Sequence, residues 1–198
     1  MNVLFLGPPE SPVFVFLKSA EGDVAQATEP LDDALFDFMP TDFLVSFGYR
    51  HLIGPDVLER FPRRAVNLHI SYLPWNRGAD PNLWSFVDNT PKGVSIHYLD
   101  AGIDTGDVIA QKAVEFAAGE TLRTSYARLQ QEIAQLFAEH WKQIREGGCE
   151  AIKQVGTGSF HRAADREKVA HLLSDGWDTP VAHIEQAGAE WRRSRGLA

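Results

Sequence analysis

The chain has 198 residues, a net charge of −8, 44% hydrophobic and 23% charged residues. That length holds one sizeable core and leaves two full domains a squeeze, while the acidic balance provides no lysine- and arginine-rich surface for a nucleic-acid backbone. The single cysteine, Cys149, rules out an internal disulfide and a thiolate zinc cluster.

Residues 1–7 have no basic stretch and only a four-residue apolar run, too short for a signal peptide or a membrane span. The chain is therefore expected in the cytoplasm with no membrane partner. The run at 3–6, closed by Gly7-Pro8-Pro9, predicts a buried first strand and a turn. The following loop is rich in proline, which lacks an amide proton, and contains Glu10; it makes a poor phosphate cradle. A helix is expected over 13–20, a strand over 24–28, and a helix over 29–38 with Pro30 in its first turn. An apolar strand over 43–47 and a helix over 55–61 follow. This alternation predicts an α/β protein with a Rossmann-like, mostly parallel twisted sheet flanked by helices.

The next strand starts at Val66. Val66, Leu68 and Ile70 face one way, and Asn67, His69 and Ser71 the other. Buried polar groups cost free energy unless paired, so the second face is expected to look into a polar cleft. A polar loop over 75–82 leads to a short helix over 83–87 and a strand over 94–99, where Ser95 and His97 share one face. The loop containing Ile103-Asp104-Thr105-Gly106-Asp107 separates this strand from a hairpin-like partner over 108–116. Leu129, Ile133, Leu136, Phe137 and Trp141 repeat at helical spacing, predicting a long helix from 121 to Gly147-Gly148. Residues 160–198 are expected as a short helical appendage to a catalytic domain over 1–159, with helices near 163–173 and 181–193.

An amide, an imidazole and a carboxylate are a workable set for acyl-group chemistry. Asn67-Leu68-His69-Ile70-Ser71-Tyr72-Leu73-Pro74, with Gly78 and then Ile103-Asp104-Thr105-Gly106-Asp107, resembles the folate-dependent formyltransferase family. Tyr49-Arg50-His51, residues 72–82 and Gly158-Ser159-Phe160-His161-Arg162 look most like its branch acting on nucleotide-linked amino sugars. The resemblance implies the Rossmann-like formyltransferase fold and transfer of a formyl group from N10-formyltetrahydrofolate to the primary amine of a nucleotide-activated amino-deoxy sugar, on a route to surface polysaccharide. Such a transfer passes through a tetrahedral oxyanion. Asn67 is suited to donate to that oxyanion, His69 to donate to it or shuttle protons, and Asp104 to orient His69 and accept the amine's proton.

The resemblance further implies that backbone groups of His51, Leu52 and Ile53, and of the loop from Asp100 and Ala101 to Ile103 and Asp104, surround the pterin. Trp75 and Arg77 are expected to meet the acceptor, with His97 and Ser71 supporting the catalytic groups. Trp177 and Trp191 read as core or interface anchors. Since many relatives pair, a homodimer is expected. Three readings compete: another small amine acceptor such as glycinamide ribonucleotide, a non-catalytic folate- or nucleotide-binding relative, and a metal site of His69, His97 and Asp104. The last leaves Asn67 without a task, so no metal is expected.

Overall fold

The computed structural model describes residues 1–117 and 119–196; the last two residues of the expected C-terminal appendage lie outside the described residues. Among the described residues, eight strands and six α-helices succeed one another as β1 (Asn2–Leu6), α1 (Pro12–Ala20), β2 (Asp23–Ala27), α2 (Leu35–Phe38), β3 (Phe43–Ser46), α3 (Pro55–Glu59), β4 (Ala65–His69), β5 (Arg77–Gly78), α4 (Pro81–Val87), β6 (Gly93–Tyr98), β7 (Val108–Ala113), α5 (Leu122–Arg145), β8 (Phe160–His161) and α6 (Val181–Ser194), with 3-10 turns over Ala163–Leu172 and Gly176–Asp178. Six strands form a sheet in the order β2-β1-β3-β4-β6-β7, and β5 and β8 form a separate pair. Strands β1 to β4 run parallel, and β6 joins β4 antiparallel. The α/β architecture with a mostly parallel sheet is thus the one expected.

The chain divides into two compact units: Met1–His69, Ser95–Ala110 and Ile133–Gln154 make the first, and Ile70–Val94, Gln111–Glu132 and Val155–Ala198 the second. The boundary expected near residue 159 falls inside the second unit.

In the first unit, β1 and β3 are buried along nearly their whole length, as continuous apolar runs in a parallel sheet should be. Leu4, Leu6, Leu44, Val57 and Phe61 pack into one cluster. Helix α1 starts where the Ser11 hydroxyl accepts the Val13 N–H at 3.2 Å and Pro12 supplies a pre-set φ. Helix α2 begins six residues later than the expected 29, because Asp32 accepts the Ala34 N–H through its side chain and the Leu35 N–H through its carbonyl, holding a turn there. The second half of α5 buries Ile133, Phe137, Trp141 and Ile144. Its Trp141 Nε1 donates to the buried Glu21 carboxylate at 2.9 Å, and Arg145 pairs with the same oxygen.

The second unit has its own core of Leu83, Trp84, Phe86, Val87, Leu122, Val169, Leu172, Val181 and Ile184. Strand β7 ends at Ala113, three residues short of the expected limit, and the Val114 N–H instead meets the Lys92 carbonyl at 3.0 Å. The stretch over 163–172 is 3-10 in character.

Candidate active site

Antiparallel pairing sets Asn67 directly opposite His97, and His69 opposite Ser95. Cross-strand neighbours of this kind lie close enough for their side chains to meet. The Asn67 Nδ2 reaches Asp104 Oδ1 at 3.0 Å and His97 Nε2 at 3.2 Å. Since a carboxylate only accepts, the contact with Asp104 fixes the orientation of the Asn67 amide. His97 Nδ1 lies 2.8 Å from the Tyr98 carbonyl, so that nitrogen carries a proton, and Nε2 faces the Asn67 amide. The Asn67 amide therefore faces both partners. A substrate oxyanion would have to take the place of one of them.

His69 Nδ1 stands 3.7 Å from Asp104 Oδ2, an ion-pair separation longer than a hydrogen bond, and His97 Nε2 lies 3.4 Å from Oδ1. His69 is 7% and His97 1% exposed. The three residues expected to do chemistry, with His97, are thus brought together around one carboxylate. Among the described residues no group of three or more His, Cys, Asp or Glu side chains is arranged to hold a metal ion.

Local chemistry shapes the loop that presents Asp104. The Asp100 carboxylate accepts from the Gly102 N–H at 3.1 Å and the Thr105 hydroxyl at 2.7 Å, closing an Asx-type turn. Asp104 sits at φ 55°, a left-handed conformation that aspartate tolerates better than most side chains. Gly106 packs so tightly that a Cβ would overlap the Tyr98 carbonyl oxygen. Asp100, Ala101, Ile103, His51 and Leu52 are exposed and Ile53 half-buried. Leu52 is 80% and Ile103 42% exposed, and the Asp100 side chain is spent inside its own turn.

Strand β4 stops at His69, so Ser71 lies past its end; its hydroxyl donates to the Trp75 carbonyl at 2.7 Å and closes the turn after the strand. Trp75 is half-buried, and the Arg77 guanidinium donates to the Thr157 carbonyl at 3.0 Å. The loop carrying both is tied to a distant segment: Ser159 N–H bonds to Pro74 O, Arg77 N–H to Ser159 O, Ala79 N–H to His161 O, and Asn76 N–H to Ser159 Oγ. Gly158, at φ 59°, comes so close that a Cβ would overlap the Pro74 carbonyl. Two-residue strands such as β5 and β8 carry no periodic signal, so sequence reasoning missed this pairing.

The sequence reading also missed a recess in the second unit. Tyr126 and Trp177 meet edge to face with centroids 5.5 Å apart. Arg166 stands 5.8 Å from the Trp177 ring and 3.7 Å from Asp80. With Ile70, Asn82 and Leu122 they border the opening. Trp177, expected as an anchor, is 38% exposed there.

The sheet thus carries a carboxamide and two imidazoles on β4 and β6, and the loop after β6 brings a carboxylate to them. The chain belongs to the formyl transferase family, whose model matches residues 8–140. It is 50% identical to the formyltransferase PseJ from Anoxybacillus kamchatkensis, with a TM-score of 0.88 over 93% of this chain and 97% of that one; PseJ was solved in complex with UDP-4,6-dideoxy-4-formamido-L-AltNAc and tetrahydrofolate. It is 34% identical over 147 residues to the methionyl-tRNA formyltransferase of Anaeromyxobacter dehalogenans, covering 72% of this chain and 45% of that protein. It is 32% identical over 120 residues to the dTDP-4-amino-4,6-dideoxyglucose formyltransferase of Mycobacterium bovis, covering 58% and 51%. The chain spans about half the length of these curated relatives.

Proposed function

We propose that this protein transfers the formyl group of N10-formyltetrahydrofolate to the primary amine of a nucleotide-activated amino-deoxy sugar. The observation that carries the reading is the contact of Asn67, His97 and His69 with one carboxylate, Asp104. The similarity to PseJ, solved with a UDP-linked formamido sugar and tetrahydrofolate, supports the acceptor class and the donor. In this reading His51, Leu52, Ile53 and the loop over 100–104 hold the pterin, largely through backbone groups.

One Asn67 amide N–H turns from its present partner to donate a hydrogen bond to the oxyanion that develops on the formyl oxygen. Asp104 takes the proton lost by the attacking amine, and the same proton is returned by way of neighbouring His69 to the folate nitrogen as its bond to the formyl carbon breaks. The recess beside Trp177, Tyr126 and Arg166 suits a base and its phosphates, since aromatic faces stack on bases and a guanidinium pairs with phosphate. Trp75 and Arg77 act on the acceptor through the loop they belong to. A methionyl-tRNA acceptor is disfavoured by the net charge of −8. No helix among the described residues is long and apolar enough to cross a membrane; we place the reaction in the cytoplasm, on a route to surface polysaccharide such as an O-antigen, and in a homodimer.

A formyl-transfer assay on UDP- and dTDP-linked amino sugars, with glycinamide ribonucleotide as control, tests the proposal. Turnover confined to nucleotide sugars is expected. Preference for glycinamide ribonucleotide, or folate binding with no transfer to any amine, would overturn it.

A further inference from the structure

Beyond residue 140, where the family match ends, the chain leaves α5 and returns to the sheet. Ile152 forms an antiparallel bridge with Val108, through N–H to O bonds of 2.8 and 2.9 Å in both directions. Two residues on, Gln154 extends its carboxamide to the loop of Asp104. Its Nε2 donates to the Asp104 carbonyl at 2.8 Å and to the Gly106 carbonyl at 2.9 Å. The opposite amide orientation would turn Oε1 toward two carbonyl oxygens, so this one is fixed by its partners. Oε1 itself is buried without a hydrogen-bond partner among the described residues. A buried carbonyl left unpaired is costly, and such exceptions call for a compensating role.

We propose that Gln154 is a positioning residue for the catalytic loop: its two N–H groups lock the left-handed turn that aims the Asp104 carboxylate at Asn67 and His69. The proposal rests on the roles given above to Asp104 and its neighbours, though the turn itself is a matter of backbone geometry. Asp104 and Gly106 both present carbonyls toward the same point, an arrangement that needs a donor between them. Gln154 supplies one with two protons and no charge. Because it bonds to the backbone and not to the carboxylate, it acts on where Asp104 points. It touches no reacting atom.

The test uses the full chain with Gln154→Leu, which keeps the bulk and removes both donors, and Gln154→Glu, which sets a carboxylate against two carbonyls. Hydrogen–deuterium exchange and steady-state kinetics are read together. Both variants should raise exchange at least tenfold in the segment 99–107 while 1–69 stays as in the wild type. Both should lower kcat 10- to 100-fold with the acceptor KM within threefold. Gln154→Glu should regain part of its kcat as acid protonates the new carboxyl, relative to wild type at the same pH, whereas Gln154→Leu should not. Unchanged loop exchange overturns the proposal, and so does a rise spread over the whole first unit, which marks a general packing role. Should the wild type formylate no amino-sugar nucleotide, the functional reading fails, and the exchange comparison still decides whether Gln154 holds the turn.

Discussion

Asp104→Asn isolates the carboxylate's charge from its shape. Asparagine has nearly the same volume, tolerates the left-handed φ of 55°, and still offers an oxygen to Asn67 Nδ2, now 3.0 Å from Oδ1. What it removes is a negative charge 3.7 Å from His69 Nδ1 and 3.4 Å from His97 Nε2. When a proton resides on His69 during transfer, a full charge at 3.7 Å is worth about 4.5 kcal/mol at an effective dielectric of about 20. At about 1.4 kcal/mol per decade, that is roughly three orders of magnitude in rate. The Asp104 side chain keeps 11% exposure, and water there screens part of the interaction. The expected fall in kcat is therefore roughly 100- to 1,000-fold, with a melting temperature close to that of the wild type. Rapid-quench measurement of formyl transfer, with circular dichroism as the folding control, decides. A variant that retains more than a tenth of the wild-type kcat would refute the assignment of Asp104 to proton transfer.

Gly106→Ala should be severe for its size: the new Cβ meets the Tyr98 carbonyl, the group that accepts from His97 Nδ1, so kcat measured at saturating substrate is expected to fall at least 10-fold. Glu21→Ala strands the buried Trp141 Nε1–H and removes the partner of Arg145. Leaving such a donor unpaired costs about 1–3 kcal/mol, which a melting curve should register as a drop of roughly 3–10 °C. Burial pushes the Cys149 thiol up, against a smaller downward pull from Arg63. A raised thiol pKa means less reactive thiolate near neutrality, so iodoacetamide labelling of the native protein should be slow at pH 7.5 and accelerate only at clearly alkaline pH.

Much of this architecture was readable because its signals are periodic or unambiguous. The apolar runs of β1 and β3 can only be buried strands, and the Asn67–His69 alternation predicted a polar face that the pairing with His97 furnishes. Alternation does not carry to Ser71, which lies past the end of β4 and whose hydroxyl donates to the Trp75 carbonyl. The start of α2 was misplaced for a related reason, since Asp32 competes for backbone protons in a way propensity does not record. Arg77 with Thr157 and Gln154 with Asp104 are contacts made 50 or more positions apart, and no periodic signal at Gln154 or Thr157 marks them. The sequence reads Trp177 as a core or interface anchor; at 38% exposure it is not a core residue, and it meets Tyr126 edge to face at the rim of the recess.

The hydrogen bonding of residues 157–161 to the loop over 74–79 has a consequence for engineering acceptor choice. Chimaeras that exchange the loop alone would strip Pro74, Arg77 and Ala79 of partners encoded some eighty residues downstream. Gly78 and Gly158, each pressed against the opposite backbone, admit no compensating side chain. The two stretches form one cassette, and selectivity is expected to travel between relatives only when both are transplanted as a matched set.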